Sequence, residues 1–411
     1  MTSSSTRPTP ARSADVAAAV LCWLTVALEG YDLVALGAVI PTLAKTQHLG
    51  MDVPALTFAA TISLVGVGLG AASVGPLADR LGRRVALIGS VALFSVFTLL
   101  LPLAPSAALF STFRFVAGLG LGACMPTALT IMSEVAPPRH RAKSATLTMT
   151  GYHVGAVATS LLALLAGPNW HVIFYAGGVL GLLLLPVMWS TMPESREVAA
   201  AHEPTPRVPL STLLRGPYRR ASIGTWVGSF MGLLLVYGLN TWLPKIMNEA
   251  GYSLDSALTM LLIMNVGAVV GLLLAGTVAD RRGIKPSILA WYAVSAVLLA
   301  LLSVRMENTL VLDLALFATG VFVFSAQVLI YALVAHLFLP DVRGTALGLA
   351  SGVGRLGAIA GPAVTGALLA AGLAHPWGFY FFALVAGLAL LAILTVPAHI
   401  DPSVVAADRT G

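Results

Sequence analysis

Two carboxylates and two guanidinium groups stand inside otherwise apolar stretches of this chain. They are Glu29 and Asp32 in ALEGYDLVAL, Arg114 in STFRFVAGLGLG and Arg355 in GLASGVGRLGAIAGPAV. A charge at the centre of a membrane helix costs about 2.5–3.5 kcal/mol on insertion scales, so such groups usually face a wet passage or each other. Glu29 and Asp32 are three residues apart and share one helix face. Desolvation and mutual repulsion both disfavour double ionisation of such a pair. One of the two could then take and release a proton near neutral pH, as coupling to a proton gradient requires. The competing reading makes them structural acids neutralised by Arg114, and for Glu29 a substrate-contact or gate role also fits. Arg114 fits an ion pair with Glu29 and Asp32 better than a substrate site. Arg355 has almost wholly small and apolar flanks. Its planar fork suits a carboxylate held by paired hydrogen bonds; the alternative is a fixed partner such as Asp32.

Ligand pockets are mostly apolar and aromatic-lined, with a few polar tips that fix orientation. Tyr31, Tyr152, Tyr237, Trp242 and Tyr331 are candidates, and each also fits simple packing or interfacial anchoring. Gln327 and Tyr331 are four apart on one face, and Asn240 could bond a substrate hydroxyl or merely join helices. His336 lies further along the same segment, near its end, where a titrating role and a satisfied helix-end histidine compete.

These residues must be positioned by membrane helices. Of the 411 residues, 58% are hydrophobic and 10% charged, with a mean hydropathy of +0.90. A soluble domain is about 25% charged, so this chain lacks the polar surface to coat a globule in water. Stretches of about 20 apolar residues cross the hydrocarbon core. Twelve are expected, near 15–44, 55–78, 84–104, 107–134, 143–166, 170–190, 221–244, 256–279, 286–304, 310–338, 344–371 and 376–397. They are called spans 1 to 12. The polar stretch 193–220 reads as a linker between an N-terminal six-helix bundle (1–192) and a C-terminal one (221–411). Cys22 and Cys124 both fall in apolar runs, which argues against a disulfide scaffold or a cysteine metal cluster. No HExxH, GxSxG or Cys/His metal spacing is present, so an enzyme, a metal and a cofactor are not expected. The N-terminal MTSSSTRPTPARSAD reads as a polar tail and not as a signal peptide.

Charge sets the orientation. With a cytoplasmic N-terminus, 18 of the 23 Lys and Arg residues face the cytoplasm. Lys45, Lys245 and Arg305 face the other way, and Arg114 and Arg355 lie within the membrane. Both termini are then cytoplasmic, and the net charge of +6 is explained without nucleic acid. The halves repeat: GPLADRLGRR at 75–84 and GTVADRRGIK at 276–285 lie 201 apart, and Arg141 and Arg343 open spans 5 and 11 at an offset of 202. The same offset sets His153 opposite Arg355. A parallel repeat of six-helix units suggests a transporter with its site between the halves.

The repeated loop resembles the major facilitator superfamily. Gly75-x-x-x-Asp79-Arg80-x-Gly82-Arg83-Arg84 is similar to its loop between spans 2 and 3. Arg114-x-x-x-Gly118-x-Gly120 is similar to its span 4 signature, and Pro193-Glu194-Ser195-Arg196 to an element after span 6. Within the superfamily, Leu28-Glu29-Gly30-Tyr31-Asp32, Leu239-Asn240-Thr241-Trp242-Leu243-Pro244 and Gly354-Arg355-Leu356-Gly357 resemble the aromatic acid:proton symporters. That family commonly has Asp where this chain has Glu29. The resemblance implies an all-α membrane protein with twelve transmembrane helices in two pseudo-symmetric six-helix bundles. It also implies uptake of a benzoate-, hydroxybenzoate-, gentisate- or phenylpropionate-like carboxylate with protons, across a bacterial inner membrane, and it supports His336 as a site residue. A monomer is expected. Asp79 is placed to accept hydrogen bonds from the N-terminus of span 11, whose dipole favours an anion. Breaking that contact would open the path inward. Gly75 and Gly82 allow a close approach and a tight turn, Arg83 reads as a topology anchor, and Glu134 and Arg141 are expected to complete the charge cluster. Another superfamily porter, such as a drug exporter or aliphatic carboxylate porter, and a non-transporting chemosensor are the rival readings.

Overall fold

The computed structural model describes residues 11–135, 141–192, 210–216 and 218–400. The side chains of Asp79, Glu134 and Arg141, and residues 193–196, lie outside the described residues. Twelve helices are long and apolar enough to cross a membrane. In order they are Ala11–Thr46, Val53–Leu81, Arg83–Leu100, Ala107–Val135, Arg141–Ala166, His171–Thr191, Tyr218–Glu249, Leu254–Arg282, Ile284–Leu301, Thr309–Leu337, Pro340–Ala370 and Trp377–Thr395. A helical turn at Leu210–Leu213 precedes span 7. Span 7 runs five residues past the expected stop at Pro244. Proline is tolerated in membrane helices because neighbouring groups take up the freed backbone bond, and spans 1, 4, 6 and 11 also carry an internal proline.

The outer surface is apolar, as a lipid-facing wall must be: Phe58, Leu165, Leu183, Val297 and Leu384 are all more than half exposed. The fold is two pseudo-symmetric six-helix bundles. Span 1 packs on span 5 and span 2 on span 4; in the second bundle span 7 packs on span 11 and span 8 on span 10. Small residues make these crossings close. A Cβ on Gly155 would lie 1.8 Å from the Ala27 carbonyl oxygen, and one on Gly357 would lie 2.0 Å from that of Phe230. The repeated loops end in the same conformation. Gly82 has φ 87° and ψ 146°, and Gly283 has φ 91° and ψ 147°. A side chain is strained in that backbone region, so glycine belongs at both.

Spans 5 and 8, and spans 2 and 11, meet across the interface between the bundles. Away from the arginine-rich end the bundles touch. A Cβ on Gly37 of span 1 would lie 2.2 Å from the Asn240 carbonyl oxygen of span 7, and one on Gly366 of span 11 would lie 2.1 Å from Thr57 Oγ1 of span 2. At the arginine-rich end they part. Gly75 of span 2 and Gly344, Gly348 and Gly352 of span 11 have open space on their Cβ side. A cavity of about 240 Å³ lies within the first bundle at this end, between spans 2, 3 and 4, beside Gly75, Arg83, Pro126 and Thr130. Among the described residues, then, the bundles are in close contact at one end, the closed end, and leave space beside span 11 at the other, the open end.

Candidate functional site

The central cavity lies between the bundles and measures about 90 Å³. Three helices supply its wall through one face each. Met149, Tyr152 and His153 come from span 5, Leu233, Val236 and Tyr237 from span 7, and Phe324, Gln327, Val328 and Tyr331 from span 10. In each set the spacing is three and four residues, the geometry of one helical stripe. Met125, Leu272 and Arg355 complete the wall. It is thus a largely apolar, aromatic-rich slot with one fixed cation. The Arg355 guanidinium Nη1 donates to the Tyr237 hydroxyl at 3.3 Å. Gly352 and Gly348 lie one and two turns from Arg355 on the same face of span 11, leading to the open end.

Asp32 is spoken for. Arg114 Nη1 donates to its Oδ1 at 2.6 Å, with both side chains buried, and the Thr98 hydroxyl donates to its Oδ2. This pairing leaves Arg355 without Asp32 as a partner. Glu29 is different. It is fully buried, and neither carboxylate oxygen reaches a hydrogen-bond partner within 3.5 Å among the described residues, although the Met125 backbone lies beside it. Its charged neighbour is Arg355, and the hydroxyls of Tyr152 and Tyr237 stand within electrostatic reach. One turn of span 1 therefore presents two acids to two different arginines.

Of the candidates read from the sequence, Arg355, Tyr152, His153, Tyr237, Gln327 and Tyr331 meet at the cavity. Gln327 is oriented by its amide donating to Ser229 Oγ at 2.9 Å. His153 sits edge-on to Phe324 of the other bundle at 5.2 Å. Other candidates lie elsewhere. The Tyr31 hydroxyl donates to the Ile173 carbonyl at 2.7 Å and ties span 1 to span 6. Trp242 is fully buried and donates from Nε1 to the Pro362 carbonyl at 2.9 Å, sealing span 7 to span 11. Asn240 accepts from Asn265 Nδ2 at 3.0 Å, away from the cavity wall. His336 is exposed at the arginine-rich end of span 10. Gly75 lines the cavity at that end with Arg83, while Gly82 turns the chain into span 3.

Sequence reasoning did not single out Thr98, Asn265, Ser229 or Phe324. Thr98 and Ser229 carry no local signal, since a hydroxyl can bond its own helix. Asn265 could have been found: it is a lone amide in LLIMNVGAVVG, where burying a polar group needs a partner.

The whole-chain comparison decides the family. The Major Facilitator Superfamily model matches residues 22–362 and 266–409. The chain belongs to the Major Facilitator Superfamily. Relatives of this superfamily member include the gentisate transporter of Corynebacterium glutamicum, 36% identical, with 92% of this chain and 86% of the relative covered. The 3-(3-hydroxy-phenyl)propionate transporter of Escherichia coli is 34% identical, covering 93% and 94%. The benzoate transport protein of Acinetobacter baylyi is 31% identical, covering 92% and 88%. Among solved structures, the inward-open xylose transporter XylE of E. coli superposes with a TM-score of 0.75 at 18% identity, covering 93% of this chain and 96% of that one, a likeness of fold. This superfamily member is accordingly a multi-pass transporter of a bacterial inner membrane and not an enzyme.

Proposed function

We propose that the protein is a proton-coupled symporter that imports a small aromatic carboxylate by alternating access. The observation that carries this reading is Arg355 in an apolar slot edged by Tyr152, Tyr237, Tyr331 and Phe324. Arg355 would hold the carboxylate and the slot would hold the ring, while the tyrosine hydroxyls would meet ring substituents. The names of the relatives, which include gentisate and benzoate carriers, support the same substrate class.

In this reading the arginine-rich end faces the cytoplasm, with both termini, and the described state is open inward. Residues 1–192 and 221–411 form the two moving units, joined by the 193–220 linker, and one chain is sufficient. The outward-facing state takes a proton at the span 1 acids and the anion at Arg355. Closure at the cytoplasmic end brings the Gly344, Gly348 and Gly352 face of span 11 toward Gly75 of span 2. In that closed form Asp79 caps span 11, and Glu134 and Arg141 join the same cluster. His336, exposed at that end, serves as an exit-side group.

Purified protein in liposomes tests the reading. Under an imposed inward proton gradient it should accumulate at least one of benzoate, gentisate and 3-(3-hydroxyphenyl)propionate, and an uncoupler should abolish the accumulation. Binding without accumulation would make the protein a sensor. Uncoupler-sensitive extrusion of cationic drugs, with none of the acids accumulated, would make it an exporter.

A further inference from the structure

A second, much smaller cavity of about 10 Å³ lies off the central one. Arg114, Ser63, Tyr237 and Thr241 line it, with Leu33 and Leu36 of span 1. A polar chamber of about 10–15 Å³ holds one water, provided the water finds two to four partners. Two lining side chains carry a suitable atom that is buried and has no partner among the described residues: Arg114 Nε and Ser63 Oγ. Both residues are 1% exposed. Tyr237 lines both cavities, and its hydroxyl accepts from Arg355.

We propose that this chamber is a site for one structural water, and that the water and Tyr237 form a bridge that couples the Asp32–Arg114 pair to the anion site at Arg355. The inference rests on the symport reading above and adds its coupling element. The water accepts from Arg114 Nε and from the Ser63 hydroxyl and donates to the Tyr237 oxygen. With the cavity unliganded, the Tyr237 oxygen serves Arg355. When a substrate carboxylate takes over Arg355, that oxygen is freed to turn toward the water. Arg114 is then better satisfied without Asp32, and Asp32 can accept a proton. Only hydrogen bonds exchange. By linkage, protonation at Asp32 strengthens anion binding by the same factor. Tyr237 is a positioning residue here. The titratable and charged groups that face it are Glu29 from span 1, Arg114 from span 4, Tyr152 from span 5, Tyr331 from span 10 and Arg355 from span 11.

The test is the pH dependence of KM in proteoliposomes, measured with whichever of benzoate, gentisate or 3-(3-hydroxyphenyl)propionate the wild type accumulates best. Wild type should bind its acid more tightly at low pH, with KM changing about tenfold between pH 8 and pH 6, as a coupling free energy of ordinary size gives. In Tyr237→Phe that ratio should collapse to about twofold or less, whatever happens to KM itself. A residue that only touches the substrate would shift KM equally at both pH values and leave the ratio intact. Ser63→Ala, outside the central cavity, should flatten the ratio in the same direction, and it carries the test if Tyr237→Phe fails to fold. A wild-type ratio in whichever of the two variants folds overturns the inference while leaving the symport reading in place. If the wild type accumulates none of the three acids, the symport reading itself falls.

Discussion

Arg114 Nη1 lies 2.6 Å from Asp32 Oδ1, with both side chains almost fully withdrawn from solvent. Removing one member of a buried pair leaves an uncompensated charge and typically costs about 3–5 kcal/mol, far more than the pair itself contributes. Arg114→Ala should therefore lower the thermal midpoint in detergent sharply, while the double variant Asp32→Asn/Arg114→Gln should recover much of the loss. A double variant no more stable than Arg114→Ala would show that the two residues act independently.

Glu29 should behave in the opposite way. It is buried without a hydrogen-bond partner among the described residues, so Glu29→Gln removes a charge at nearly constant volume. Folding should be unimpaired, since burying an unpaired carboxylate is unfavourable. Gradient-driven accumulation should fall about tenfold or more if the group takes part in coupling. Full accumulation by this variant would assign proton coupling to Asp32 alone.

At Arg355 the charge is not enough. Lysine keeps the positive charge and loses the planar fork, and it also loses the bond to the Tyr237 hydroxyl. Arg355→Lys should raise KM for an aromatic acid about tenfold, equivalent to about 1.4 kcal/mol, and Arg355→Ala should abolish saturable uptake. Initial-rate uptake in proteoliposomes reads both.

Two glycines of span 11 should respond to substitution in contrasting ways. A Cβ on Gly352 meets nothing within 4 Å, whereas one on Gly357 falls 2.0 Å from the Phe230 carbonyl oxygen. Gly352→Trp should fold normally yet stop transport, because its bulk fills the gap that closes in the other half of the cycle. Gly357→Ala should instead lower the thermal midpoint, because the span 7–span 11 crossing must widen.

At the closed end, His48 sits edge-on to Trp170 at 4.9 Å, and His171 stacks on that indole at 3.8 Å. Burial, and after it the charge of His171, holds the His48 imidazole below its ordinary value. His375, in the turn before span 12, is lowered chiefly by burial. A base whose folded value is depressed favours the neutral form, so the unfolded chain binds more protons as pH falls. Stability should be complete above about pH 6.5, the unfolded histidine value, and decline as the pH drops below it. His48→Gln should reduce the slope of thermal midpoint against pH below that point; an unchanged slope would remove His48 from the account.

The twelve helices and the repeated Gly82 and Gly283 turns are legible in the residues alone. Each is a local property: apolar length meets the bilayer thickness, and the positive-φ position demands glycine wherever the chain goes next. The four intramembrane charges were equally legible, because a charge in hydrocarbon is expensive in any fold. Their partners were not. Arg114 takes Asp32, while Glu29 makes no hydrogen bond among the described residues, though both acids lie on one face of span 1. Tyr152, Tyr237 and Tyr331 reach the cavity, while Tyr31 and Trp242 turn their polar atoms onto neighbouring helix backbones. A helix that is apolar all round carries no amphipathic signal to say which side faces inward. That choice is made by the packing of small residues between helices far apart in the chain, and only the assembled bundles contain it.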